Sequence, residues 1–174
     1  MLTVETIPLR HRIRCSGFLF KEKIKPRRID KTKLPEGLPL LQVANLKKGH
    51  DITDAEGNVL YKNADLTFDP RKSRSYAYCS DTAYNENMID QIRDVDMLYH
   101  EATFEEDEAQ KAAETFHSTA RQAATIALKA NAKGLLLGHF SARYKDLAPI
   151  LKEAHATFEN AHLAVEGDVF TLSD

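Results

Sequence analysis

An α/β fold, with strands and helices alternating along the chain, is the expectation from three observations. Short apolar or β-rich runs stop at residues capable of chemistry: Ser75–Cys79 before Ser80-Asp81, Asp96–Tyr99 before His100, and Leu135–Gly138 before His139. Between them lie runs of helical character, including Asn87–Arg93 with Met88, Ile89 and Ile92 on one face. The composition, 43% hydrophobic and 29% charged over 174 residues, is that of one globular domain able to bury a core.

From the amino terminus, residues 2–20 read as extended. Leu2, Val4 and Thr6 alternate, and Ile13–Phe20 is a second β-rich run interrupted by Ser16-Gly17, with His11 between the two. Residues 21–49 change character. Lys21, Lys23, Lys25, Arg27, Arg28, Lys31 and Lys33 crowd together, followed by Pro35, Gly37, Pro39, Lys47 and Lys48. Basic residues punctuated by Pro and Gly describe an exposed arm, either merely solvated or gripping phosphates. Asp54-Ala55-Glu56-Gly57-Asn58 predicts a hairpin turn between Asp51–Thr53 and Val59–Tyr61.

Further on, Glu105–Thr115 is polar and helix-forming. Thr119-x-x-Gln122 has the form of a capping box opening an Ala-rich helix to about Ala132, with Gly134 as its stop. Leu147–Phe158 predicts another helix, and Leu163–Val165 and Val169–Leu172 two short strands. There is no internal repeat.

Several functions are excluded. A net charge of −2 carries no overall basic signal, so nucleic-acid contact must come from a local patch. Apolar stretches such as Leu135–Leu137 are far too short to span a bilayer, and no charged segment followed by an apolar one opens the chain. Cys15 and Cys79 make neither a disulfide framework nor a zinc pair, which predicts reduced thiols and a cytoplasmic protein.

Four of the seven histidines follow an apolar strand or precede a helix cap: His11, His100, His117 and His139. His50, His155 and His162 lie in turns or on helix surfaces and read as structural. A lone histidine in such a place is usually a satisfied core or cap residue. Four, with the strand-terminal Asp81, point instead to a metal site, because imidazole and carboxylate suit zinc and manganese.

The blocks Tyr-Cys-Ser-Asp-Thr at 78–82, His-Glu-Ala-Thr-Phe at 100–104, His-Ser-Thr at 117–119 and Gly-His-Phe-Ser-Ala-Arg-Tyr at 138–144 carry a resemblance. With the opening Pro-Leu-Arg-His and Ser-Gly-Phe, they are similar to the ribonuclease Z family, the tRNA 3′-processing endonucleases of the metallo-β-lactamase superfamily. The resemblance covers essentially the whole chain. It implies that His11 ligates one metal, Asp81 bridges two, and His139 ligates the second. His117 would be the general acid beside the scissile phosphate, oriented by Glu101. Arg143, Ser141 and Tyr144 would touch the phosphate or the 3′ nucleotides. Within the arm, Lys25, Arg27, Arg28, Lys47 and Lys48 would hold precursor tRNA. The implied cofactors are two divalent ions, zinc first, with manganese or magnesium as alternatives. Cytoplasmic homodimers are implied too.

The family's His-x-His-x-Asp-His block, which supplies further ligands, is absent from these residues, and Ala83-Tyr84 stands where the family frequently has Arg-Pro. The expectation is therefore the C-terminal half of the enzyme: half of an αββα sandwich carrying one sheet, its helices and a protruding basic arm at about 21–49. Such a half should expose an apolar sheet face, self-associate, bind metal weakly and not cleave RNA alone. Two alternatives remain at this point, a metallo-β-lactamase-like phosphodiesterase for small molecules and a non-catalytic RNA-binding or dimerisation module.

Overall fold

A computed structural model describes residues 1–172. The chain divides into two compact units, one built from Met1–Glu22 and the residues from Arg74 on, the other from Lys23–Ser73.

Strands β1 (Leu2–Leu9) and β2 (Cys15–Glu22) form an antiparallel hairpin in register from Leu2–Glu22 to Leu9–Cys15. The second unit follows as β3 (Arg28–Ile29), α1 (Leu40–Lys47), β4 (Ile52–Thr53), β5 (Val59–Tyr61), α2 (Asn63–Leu66) and β6 (Thr67–Phe68). β4 and β5 make the expected hairpin. Helix α1 was not foreseen. Leu40 and Leu41 are 87% and 74% exposed and only Leu46 is buried, so no apolar stripe marks the helix in the sequence. Leu46, Ile52 and Leu66 form this unit's own small core. Buried Asn63 stitches it, donating from Nδ2 to the carbonyls of Leu46 and His50 at 2.8 and 3.0 Å. The segment expected as an arm at about 21–49 thus lies mostly inside a folded unit.

The first unit resumes with β7 (Ser75–Cys79), β8 (Met97–Glu101), α3 (Ala109–Thr115), α4 (Ala120–Lys129), β9 (Leu135–Gly138), α5 (Ala148–His155) and β10 (Ala161–Leu163). Its six-stranded sheet has the order β1-β2-β7-β8-β9-β10. Pairings from β7 onward are parallel, and the first two are antiparallel. Strand alternation sends Leu19, Ala77, Cys79, Leu98, His100, Leu135 and Leu137 into one core with Ala123, Ala124, Ile126 and Ala127 of α4. The small Ala side chains let the helix lie close on the sheet. The other face carries a ladder of rings, with Tyr78 on Tyr99 at 4.6 Å and Phe20 on Tyr76 at 6.0 Å. No element of this unit covers that ladder among the described residues: Phe18 and Tyr78 are 40% and 37% exposed.

Three expectations are corrected. Asn87–Arg93 is not an α-helix but a 3-10 turn, Glu86–Met88, capped by Asn85, followed by further turns up to left-handed Asp94. Met88 and Ile92 are still buried, so the apolar pattern is satisfied without helical geometry. α4 has its capping box but ends at Ala130, where left-handed Asn131 breaks it before Gly134. Gly134 is needed for packing, since a methyl there would meet Met97 at 2.9 Å. At the end of the chain β10 lies at 161–163 instead of 163–165, and 169–172 is not a strand among the described residues. No helix among the described residues is long and apolar enough to cross a membrane.

Candidate metal and catalytic site

The C-terminal ends of β7, β8 and β9 lie side by side, the edge where α/β sheets hold ligands. Beyond two of these ends the backbone turns left-handed at a non-glycine residue, Asp81 with φ 53° and His139 with φ 57°. Such conformations cost on the order of 1–3 kcal/mol each and persist only where surrounding structure enforces them. Here they aim two side chains at each other, with Asp81 Oδ1 3.0 Å from His139 Nε2. Gly138, just before, is glycine because a methyl would collide with the Tyr99 hydroxyl. Burial, with help from Tyr78, Glu101 and Asp81, pushes that phenol up to about 12 and keeps it neutral.

Glu101 ends β8 fully buried. Its Oε1 accepts from the Thr82 backbone N–H at 2.6 Å and from His117 Nδ1 at 2.8 Å. Its Oε2 accepts from the Thr103 hydroxyl at 2.6 Å and the Ser118 N–H at 3.0 Å. All four acceptor positions are used, so this carboxylate is a clamp with no position left for an ion. His117 itself occupies the two-helix corner between Phe116, the left-handed cap of α3, and Thr119, the N-cap of α4. With Nδ1 committed to Glu101, its Nε2 is left for chemistry. Its ring lies 5.1 Å from that of His11 and 5.3 Å from that of His139.

Proton counting supports a cation at this edge. Thr103 has one hydroxyl proton; both the Glu101 carboxylate at 2.6 Å and the His139 carbonyl at 3.0 Å lie in reach. The shorter, charge-assisted bond takes it. Thr103 must then accept from His139 Nδ1–H across 3.0 Å. His139 Nε2 therefore faces the Asp81 carboxylate and needs a positive partner between them, either a second proton or a metal ion. His11 is prepared similarly: its Nδ1 donates to the Phe116 carbonyl at 3.0 Å, leaving Nε2 with a bare lone pair. Ligating atoms of Asp81, Glu101, His117 and His139 lie within 4.8 Å of one another. Because Glu101 is saturated and His117 is bound to it, the donor pair that fits a divalent ion is Asp81 and His139; His11 adjoins His117 and is not part of this group of ligating atoms.

The other expected residues are placed as follows. Arg143 pairs with Glu108 and lies 5.3 Å over the Phe104 ring, whose edge in turn meets His117 at 6.3 Å. Ser141 donates its N–H to the Thr103 carbonyl at 3.1 Å. The Tyr144 hydroxyl accepts from the Glu105 N–H at 3.0 Å, and burial raises its pKa. Lys25, Arg27, Arg28, Lys47 and Lys48 are all in the second unit. Arg27 is spent on Thr67 and Asp69, and Arg28 reaches the Asp69 carbonyl while covering Phe68. His100 is not brought into the group: it points into the core, donates to the Glu101 carbonyl at 2.8 Å, and leaves a buried Nε2 unpartnered. Burial depresses its pKa and holds it neutral. His155 and His162 bond locally, as a structural role requires.

Thr82, Thr103, Phe104 and Ser118 were not singled out from the sequence. The signal was present for Thr103, which stands two positions after Glu101 and so shares its side of the chain.

The beta-lactamase superfamily domain pattern matches residues 21–140. Ribonuclease Z of Cytophaga hutchinsonii is 51% identical over all 174 residues, which are 56% of that protein; the chain thus spans about half the length of this relative. Among solved structures, the metallo-beta-lactamase fold protein YhfI of Bacillus subtilis superposes with a TM-score of 0.62 at 18% identity, covering 97% of this chain and 49% of that one. The short form of human tRNase Z gives 0.58 at 22% identity, covering 99% and 44%. With the strand-end geometry above, these matches establish that the chain belongs to the beta-lactamase superfamily.

Proposed function

We propose that this chain is the C-terminal half of a ribonuclease Z, a cytoplasmic metal-dependent endoribonuclease that removes the 3′ trailer from precursor tRNA. The observation that carries the reading is the Glu101 clamp. A fully buried carboxylate with four donors fixes His117 by one nitrogen beside the Asp81–His139 pair. An imidazole held so can give a proton to a departing 3′-oxygen from Nε2. His11, Asp81 and His139 would hold two divalent ions, zinc by the chemistry of the donors, which supply a hydroxide at neutral pH when bound. Arg143 would leave Glu108 for a phosphate, which its planar fork fits equally well. Ser141 and Tyr144 would touch the phosphate or the 3′ nucleotides, and the basic residues of the second unit would contact the tRNA backbone.

The uncovered aromatic face of the sheet supports the reading as half of an αββα sandwich, as does the share of the relative's length that is matched. Alone, the half would pair through that face with a second copy.

The test joins the chain to the amino-terminal half of the Cytophaga relative and adds zinc and a precursor tRNA with a 3′ trailer. One cut at the trailer junction is expected, abolished by His117→Ala. Hydrolysis of bis-p-nitrophenyl phosphate with intact precursor tRNA would instead point to a small-molecule phosphodiesterase. Inertness toward both substrates would leave an RNA-binding module.

A further inference from the structure

Beside His117 lies a cavity of about 200 Å³ whose lining includes Arg10, Tyr84, Ala113, Phe116 and Gln122. His117 is part of its wall, whereas Asp81, Glu101 and His139 are not. Its walls belong to the helix-covered side of the sheet, since Tyr84 packs on the same core as α4. The cavity is therefore on the opposite side from the bare aromatic face.

The walls are preorganised. The Tyr84 hydroxyl donates to Glu86 at 2.5 Å and receives Lys129 at 3.4 Å, which pins its ring. Phe116 is the left-handed cap of α3, anchored by His11 on its carbonyl. Gln122 has its Oε1 taken by the Thr119 N–H at 3.1 Å, which leaves Nε2 to donate. Among the described residues no acidic group pairs with the Arg10 guanidinium. The cavity therefore presents an aromatic wall, hydrogen-bond donors and one cation. Its size falls below the roughly 300–1,000 Å³ of pockets for drug-sized ligands and suits one planar heterocycle.

We propose that this cavity is a nucleobase subsite, taking the base of the nucleotide that departs with the 3′-hydroxyl. The placement rests on the ribonuclease reading: His117 protonates the leaving 3′-oxygen, so the nucleoside bearing that oxygen adjoins His117 and not the Asp81–His139 pair. The base stacks on Tyr84 and offers acceptor atoms on its edge to Arg10 and Gln122 Nε2.

The experiment is titration calorimetry on the 174-residue chain with cytidine 3′-monophosphate, and with inorganic phosphate as the base-free control. The nucleotide should bind at least about tenfold tighter than phosphate. Tyr84→Leu should reduce that preference roughly five- to a hundredfold, the range supplied by base–aromatic stacking. Ala113→Leu, at an exposed position on α3, should fill the cavity and abolish the preference with phosphate affinity held. Equal affinity for nucleotide and phosphate, or a preference that survives both substitutions, overturns the subsite. Cleavage of precursor tRNA by the joined halves is a separate result, so failure of the subsite and failure of the ribonuclease reading are told apart.

Discussion

His117 Nδ1 lies 2.8 Å from Oε1 of Glu101, a carboxylate with no solvent exposure whose other oxygen is held by Thr103 and Ser118. The pair is one hydrogen-bonded unit, and each partner fixes what the other can do. Glu101→Gln should break it with little change of shape. The amide nitrogen would bring hydrogens against donors on one side, leaving about 1–3 kcal/mol of unsatisfied polar groups. The urea midpoint of the chain should fall, and the joined enzyme should lose about 100-fold in kcat. An unchanged midpoint and unchanged rate would show that the clamp is dispensable.

Thr103 links that clamp to the candidate metal edge, donating to Glu101 and accepting from His139. Thr103→Val removes both bonds at nearly constant volume. Zinc affinity should drop about 10–100-fold, the usual effect of losing a partner that orients a metal-bound histidine. Competition against a chromophoric chelator gives the number, and equal affinities in the two proteins would contradict the proton assignment at His139.

His100 is buried, and its pKa is pushed below the ordinary value of 6.5. A histidine with a depressed folded pKa binds its proton more readily when unfolded. Below about pH 6.5 the unfolded state gains protons and stability falls, by at most about 1.4 kcal/mol per pH unit for one group; above it the full stability is present. His100→Phe should therefore flatten the decline in unfolding free energy between pH 7.5 and 5.5. Parallel pH profiles for the variant and the parent would refute a neutral buried imidazole.

Burial also raises the Cys79 thiol to about 12, whereas Cys15 is only partly buried. The thiolate is the reactive form. A thiol reagent at pH 8 should label Cys15 in the folded protein and reach Cys79 only after unfolding. Mass spectrometry of the native adduct decides; two labels before unfolding would mean that the β7 core is open.

Ile126 is completely buried where α4 meets the sheet. Truncation to alanine should cost about 2–5 kcal/mol, because the flanking alanines leave little to fill the gap. Denaturant titration measures it, and a loss below about 1 kcal/mol would mean that α4 is not seated on β8 and β9.

Elements whose pattern is local were legible in the chain itself. β7 and β9 were read to the residue, because each is a short run ended by a turn at Ser80 and His139. The Thr119–Gln122 box opened α4 as expected, since its two hydrogen bonds join residues only three apart. Residue types alone gathered His11, His100, His117 and His139 with Asp81 as candidates, and of these Asp81, His117 and His139 converge. Helix α1 and the turn at Glu86–Met88 were not legible: one lacks an apolar stripe, and the other buries Met88 and Ile92 through contacts distant in sequence. Only the tertiary structure separated His100 from its neighbour Glu101. Adjacent residues on a strand face opposite ways, so one enters the core and the other the site. That all four acceptor positions of Glu101 are filled was likewise decided only by the tertiary structure, because donors from three separate stretches, Thr82, Thr103 and His117-Ser118, had to converge on it.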